Sequence, residues 1–198
     1  MKIKYIFSVL LTMLLTGNQM VAQQMSLKAI VAVIKGSSTL HDWESAITQI
    51  EFHGNLYSEN ATPKSIKDII VSIPVRSIKS KEGKLMDSKT YEAFKADTYP
   101  TIAFSVSQAA ITIDNARNIT ITAPGKLTMA GTTRSVTVSG TGKVLANGDW
   151  RISVSEKISM TQFSMKPPTV MMGTIKVGDE VTVSVDFTLT PSDILSNQ

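Results

Sequence analysis

The chain has 198 residues, no cysteine and a formal net charge of +4. Its lysines and arginines are scattered, without a basic run or interleaved aromatic residues, which argues against nucleic acid as a partner. Because no disulfide can form, stability has to come from apolar burial and backbone hydrogen bonds.

The amino terminus has the layout of a secretory signal peptide. Lys2 and Lys4 precede an apolar run over residues 6–15, and the small residue Ala22 follows. The run is too short to span a bilayer comfortably, so we predict a signal peptide over residues 1–22 and one domain over residues 23–198. The mature protein would be periplasmic or secreted, with a net charge of about +2 and no integral membrane span.

Alternating apolar and polar residues predict one strand after another along the rest of the chain. The pattern recurs over residues 46–52, 69–75, 102–106 and 111–113, and it is clearest over residues 181–189. Pro74 indicates a strand end or an edge strand, and a change of parity predicts a bulge around residues 108–110. Such alternation is typical of an antiparallel sheet with one buried face.

Turn residues separate these stretches at four places. We predict turns at residues 123–126, 130–133, 146–149 and 177–180, with the strongest hairpin signal at Asn147-Gly148. The pair Asp179-Glu180 is interpreted as part of a surface hairpin. Short strands at this spacing predict an all-β sandwich or barrel.

One segment, residues 81–97, interrupts the β pattern with helix-forming residues. Asp87 is predicted to cap a helix over residues 88–96, and Pro100 prevents that helix from continuing. A short helix in a β domain usually covers one end or an opening.

Four segments with distinctive motifs follow one another along the chain. They are Gly-Ser-Ser-Thr-Leu-His-Asp-Trp at residues 36–43, the helix followed by Tyr-Pro-Thr-Ile-Ala-Phe at residues 84–104, Gly-Lys-Leu-Thr-Met-Ala-Gly-Thr-Thr at residues 125–133, and Ile-Lys-Val-Gly-Asp-Glu-Val at residues 175–181. Together and in this order, they resemble the YceI-like family of lipocalin-like, polyisoprenoid-binding periplasmic proteins. The chain departs from the family at residues 160–172, where many members carry a Phe-Gly-Ile-type segment.

The resemblance implies an antiparallel barrel of about eight strands, with the helix over one end and a long isoprenoid or quinone-type lipid inside. A barrel of about eight strands can hold one small ligand. Residues expected to line the interior share the inward face of their strands or lie on the helix: Phe52, Phe94, Ile102, Phe104, Val106, Met129, Val183, Val185 and Phe187.

The cluster His41-Asp42-Trp43 is a candidate contact for a ligand head group at the barrel mouth. The alternative is a strand-edge motif in which Asp42 satisfies backbone donors and Trp43 packs. In the methionine-rich segment, the lid candidates are Phe163, Met165, Met171 and Met172. Together with Met160, these methionines could instead fill the core or form a thioether site for Cu(I).

Catalysis is not expected. His41 and His53 are the only histidines, and no Gly-x-Ser-x-Gly segment occurs. The sequence therefore lacks both the activated nucleophile of a hydrolase and the ligands of a structural zinc site. We expect a lipid-binding protein without cofactor. The alternatives are a structural or interaction barrel without ligand and a periplasmic copper-handling protein, and a homodimer stays open.

Overall fold

Alternating strands close into a barrel in the computed structural model, which describes residues 20–59 and 62–191. The strands are β1 (Met20–Ser38), β2 (Trp43–Ile47), β3 (Glu51–Glu59), β4 (Thr62–Pro74), β5 (Ile78–Ser80), β6 (Thr101–Ile113), β7 (Asn118–Met129), β8 (Thr132–Val144), β9 (Trp150–Ser159), β10 (Thr169–Val170) and β11 (Ile175–Pro191). Eight of them form the antiparallel ring β1-β3-β4-β6-β7-β8-β9-β11, closed by pairing of β11 with β1. The predicted all-β barrel is confirmed.

The long strand β1 belongs to two parts of the wall. Its residues 20–24 pair with β3, and its residues 32–36 pair with β2, which in turn pairs with β5. We call the end that carries residues 39–42, 75–100 and 160–174 the upper end, and the end with the β6–β7 and β8–β9 hairpins the lower end. Residues 1–19 of the predicted signal peptide lie outside the described residues.

Large side chains fill the lower end of the barrel. Met25, Ile119, Trp150, Ile152 and Leu189 are all buried there within one apolar cluster. Burial of such side chains is the main favourable term in folding, so this cluster, the lower plug, anchors the barrel.

The predicted single strand over residues 46–52 is wrong. β2 ends at Ile47 and β3 begins at Glu51, because the backbone N–H and the hydroxyl of Thr48 both donate to the carbonyl of Ser77, at 3.0 and 2.9 Å. The break changes the parity of the segment, so Ile47 is buried and Ala46 is exposed.

The predicted turn at residues 123–126 is also wrong, because β7 runs straight through Pro124 and Gly125. Pro124 is tolerated because β6–β7 pairing is interrupted between Ser105 and Ala110, where a proline sacrifices no ladder hydrogen bond. This interruption confirms the predicted bulge in β6. Gly125 is needed for close packing, since a Cβ there would lie 2.5 Å from the carbonyl oxygen of Ser105.

Two of the predicted turns are confirmed as hairpins. Ala130 and Gly131 connect β7 to β8 with φ angles of 50° and 80°, as a two-residue hairpin turn requires. The segment around Asn147-Gly148 connects β8 to β9. Pro74 is the last residue of β4, as predicted.

The predicted surface turn at residues 177–180 is wrong, because β11 continues through it. Asp179 instead holds the 3₁₀ helix Met160–Phe163 against β11: its carboxylate accepts hydrogen bonds from the hydroxyl of Ser159 and from the backbone N–H of Thr161, the latter at 2.8 Å. These hydrogen bonds, the one from Ser159 foremost, lower the pKa of the Asp179 carboxyl.

The helix α1 (Lys84–Ala93) begins after Gly83, at Lys84 rather than at Ser88. Asp87 lies in its first turn and is not its cap, which corrects the prediction; its carboxylate accepts the backbone N–H of Ser80 at 2.7 Å. Among the described residues, no helix is long and apolar enough to cross a membrane.

Candidate ligand-binding site

A cavity of about 230 Å³, here called the lower chamber, lies above the lower plug. Its walls are the inward faces of the ring strands, where the alternation places apolar side chains at every second position. Its lining includes Phe52, Val71, Phe104, Val154, Val185 and Phe187. Among the described residues, Glu156 is the one charged residue that lines this chamber.

A second cavity of about 150 Å³, the upper chamber, lies beneath α1. The helix contributes Met86, Thr90, Ala93 and Phe94 to its lining. The methionine-rich segment contributes Met160, Met165 and Pro168.

The two apolar chambers adjoin, because Ile73, Leu127, Ile158 and Val183 line both, and together they are here called the channel. Their combined volume is near the lower end of the roughly 300–1,000 Å³ common for small-molecule sites. The channel runs from α1 down to the lower plug, a shape that suits a long, narrow, apolar molecule.

Polar contacts hold α1 over the channel. The hydroxyl of Tyr91 lies 3.1 Å from the carbonyl oxygens of Arg76 and Ile78 and accepts a hydrogen bond from Lys79 Nζ at 2.7 Å. Donation by Lys79 to Tyr91 raises the pKa of the lysine. Together with the bond between Asp87 and Ser80, these contacts tie the helix to β5.

An ion-pair cluster joins β1, β2 and the turn before α1. Glu44 lies 2.8 Å from Lys81 and 3.4 Å from Lys35, measured between charged atoms. The hydrogen bond from Lys81 lowers the pKa of the Glu44 carboxyl. Trp43, the neighbour of Glu44 on β2, lines the upper chamber.

The structure brings most of the predicted lining residues together. Phe52, Phe104, Val185 and Phe187 line the lower chamber, Phe94, Ile102 and Met129 line the upper one, and Val183 lines both. Val106 is buried in the cluster of the lower plug and lines neither chamber.

The two head-group candidates are separated. His41 is exposed in the β1–β2 loop, with its Nδ1 2.7 Å from the carbonyl oxygen of Asp42, and lies outside the channel. Trp43 lines the upper chamber; its Nε1 donates to the carbonyl of Ser37 at 3.1 Å. Ser38, rather than Asp42, accepts hydrogen bonds from the backbone N–H groups of this loop.

The four lid candidates do not form one surface. Met165 is buried and lines the upper chamber, and Phe163 is buried in the core beside it. Met171 is 75% exposed and Met172 is fully exposed, so both project into solvent. Met160 is buried, so the four methionines lie partly inside and partly outside the barrel.

Within residues 20–59 and 62–191, no group of three or more histidine, aspartate or glutamate residues is placed to hold a metal.

The structure adds site residues that were not predicted, chiefly Leu127, Ile158 and Glu156. Ile158 and Glu156 continue the alternation that starts at Ile152 and Val154, so extending that pattern along β9 would have identified both. Leu127 lies two residues before the predicted lining residue Met129 on the same face of β7, so the same alternation would have identified it.

Comparison with known proteins agrees with this geometry. The model of the YceI-like domain family matches residues 24–189. No curated protein sequence matches the chain significantly.

Solved structures share the fold. BcnA of Burkholderia cenocepacia superposes with a TM-score of 0.63 and 20% identity, over 82% of this chain and 99% of its own. A polyisoprenoid-binding domain from Saccharophagus degradans, implicated in plant cell wall breakdown, superposes with a TM-score of 0.62 and 10% identity, over 88% of this chain and 100% of its own. The YceI protein of Campylobacter jejuni superposes with a TM-score of 0.55 and 17% identity, over 75% of this chain and 85% of its own. The match to the family model over nearly the whole described chain shows that this protein belongs to the YceI-like family.

Proposed function

We propose that this protein binds one long apolar lipid, of the isoprenoid or quinone type, inside the barrel, for transport or storage outside the cytoplasm. The observation that carries the proposal is the pair of adjoining apolar chambers between α1 and the lower plug. Similarity to a polyisoprenoid-binding domain gives independent support for this ligand class.

Binding of such a lipid would depend mainly on chain length. Each methylene group removed from water contributes about 0.8 kcal/mol, and the channel offers apolar contacts along its whole length. A periplasmic carrier has to shield this apolar surface from water, and a hollow barrel does so without a large conformational change.

We infer that the protein acts by binding and not by catalysis. His41 and His53 are both exposed and neither lines the channel. Neither histidine is therefore placed to act as a base within the channel, as general acid–base catalysis by histidine would need.

The proposed extracytoplasmic location depends on the predicted signal peptide over residues 1–22. Edman sequencing of the mature protein from the native host tests it. A mature amino terminus near Gln23 supports export with cleavage, and recovery of uncleaved protein from the cytoplasm contradicts it.

Mass spectrometry of organic extracts from the purified protein tests the ligand. We expect a stoichiometric isoprenoid lipid in the wild type and its loss in Val183→Phe, because Val183 lines both chambers. Val31→Phe is the matched control, since Val31 is 67% exposed on the outer wall. Absence of any stoichiometric lipid from wild type, in native and heterologous hosts, would contradict the proposal.

A further inference from the structure

The wall of the barrel parts between β8 and β9. These strands pair only through residues 140–144 and 150–154, so residues 132–139 of β8 have no partner in β9. Both strands keep their other neighbours: β8 stays paired with β7, and β9 with β11, almost to their upper ends. The opening, here called the β8–β9 gap, is therefore a local feature of one seam.

Glu156 lies in this gap with its side chain on the inner face. It pairs directly with Val183, and directly opposed residues of an antiparallel pair share one face of the sheet. Val183 lines both chambers, and Val154 and Ile158 on either side of Glu156 also line the channel. A carboxylate therefore occupies a position in an apolar stripe where a valine or isoleucine would otherwise fit.

One carboxylate oxygen of Glu156 bridges the gap. Its Oε1 accepts the backbone N–H of Ser139 at 3.0 Å, a donor that β9 would satisfy if the strands stayed paired. The second oxygen, Oε2, has no hydrogen-bond donor among the described residues, and Glu156 is part of the lining of the lower chamber. An ionised carboxylate accepts hydrogen bonds and donates none, so this oxygen can select for a donor.

We propose that Glu156 binds the polar end of the lipid in the β8–β9 gap, and that the preferred ligand ends in a neutral or cationic hydrogen-bond donor: an alcohol, a phenol or an amine. A phosphate end would meet a like charge at this point, which disfavours it. This inference rests on the proposed function, and it adds the chemistry of the head group.

Arg134 is the competing contact for an anionic end. It lies on the part of β8 that has no partner in β9, where its Nε donates to the carbonyl of Gln162 at 2.9 Å. Arg134 pairs directly with Leu127 and so lies on the inward side of β8, but it is exposed and lines neither chamber, whereas Glu156 lines the lower one. The residue that reaches the apolar channel is thus the acid and not the base.

Calorimetric titration with farnesol, farnesylamine and farnesyl phosphate tests the assignment. We expect the wild type to bind the alcohol and the amine at least about tenfold more tightly than the phosphate. In Glu156→Gln, which keeps an acceptor for Ser139, the difference between amine and phosphate should shrink to about threefold or less. Glu180→Gln, an exposed glutamate on β11 that pairs with Lys157, is the matched control and should behave as wild type.

The outcomes separate the two proposals. If no probe binds to wild type, the proposed function fails, and the Glu156 assignment with it. If all three bind equally, or if Glu156→Gln keeps the wild-type preference, the function stands and the assignment of Glu156 is overturned. Preferential binding of the phosphate that is lost in Arg134→Gln would also overturn it, in favour of an anionic ligand.

Discussion

Replacing Ile158 by alanine should destabilise the ligand-free barrel far less than replacing Ile119 by alanine. Ile119 is 1% exposed and packs within the lower plug, whereas Ile158 is half-buried and borders both chambers. The same atoms are removed in both variants, but only the substitution at Ile119 leaves a new void surrounded by packed protein.

The magnitudes follow from this difference. Truncating a large aliphatic side chain in a packed core costs about 2–5 kcal/mol, because the lost transfer energy and the new cavity both contribute. For a domain of this size, that cost corresponds to a fall in Tm of roughly 5–15 °C. At Ile158 the cavity contribution is small, so we expect about 1 kcal/mol and a fall of roughly 2–4 °C.

Thermal unfolding of delipidated protein, followed by circular dichroism, measures both variants against wild type. A second scan with farnesol present should widen the deficit of Ile158→Ala, since that variant also loses ligand contact, and leave the deficit of Ile119→Ala unchanged. Equal losses in delipidated Ile158→Ala and Ile119→Ala would refute the reasoning. They would indicate an interior packed by its own side chains, as a structural barrel without ligand would have.

Three further predictions concern packing, the helix and pH. Gly125→Ala should lower the free energy of unfolding by roughly 1–3 kcal/mol in urea titrations, because its Cβ would clash with the Ser105 carbonyl. Tyr91→Phe should speed lipid release in stopped-flow exchange with little change in Tm, because it removes the hydroxyl contacts of α1 with β5 and leaves the hydrogen bond between Asp87 and Ser80. An unchanged rate would show that these contacts do not control access to the channel. The hydrogen bond from Lys28 lowers the pKa of the Asp149 carboxyl, so this carboxylate stabilises the fold above its ordinary pKa and stops doing so as pH falls through its folded-state pKa. Asp149→Asn should therefore lose less Tm than wild type between pH 6 and pH 3 in calorimetric scans.

The features predictable from the sequence are those that depend on neighbours along the chain. The inward stripe of β11 follows from period-two alternation, the end of β4 from Pro74, and the bulge in β6 from its change of parity. Membership of the family also follows from local segments that fall in order along the chain.

The features that failed depend on contacts across the barrel. Gly178-Asp179 has the composition of a turn, yet Asp179 is retained within a strand to bind the hydroxyl of Ser159, 20 residues away. Pro124 also resembles a turn residue, and only the interrupted partner strand makes it compatible with β7. In both cases, a contact with a residue far along the chain determines the local structure, and the alternation of apolar and polar residues does not reveal such contacts.

Two glycines lie directly below the β8–β9 gap, in the stretch where the two strands are paired. At Gly142 any Cβ would overlap the carbonyl oxygen of Arg151, and at Gly140 it would lie 3.1 Å from a methyl group of Val154. Because these positions lack side chains, β8 can approach β9 closely over residues 140–144. Above Gly140 the residues of β8 carry side chains again, and the strands part just where Glu156 reaches Ser139. The glycines close the wall over the lower plug, and the carboxylate satisfies the first backbone donor that the parting leaves unpaired.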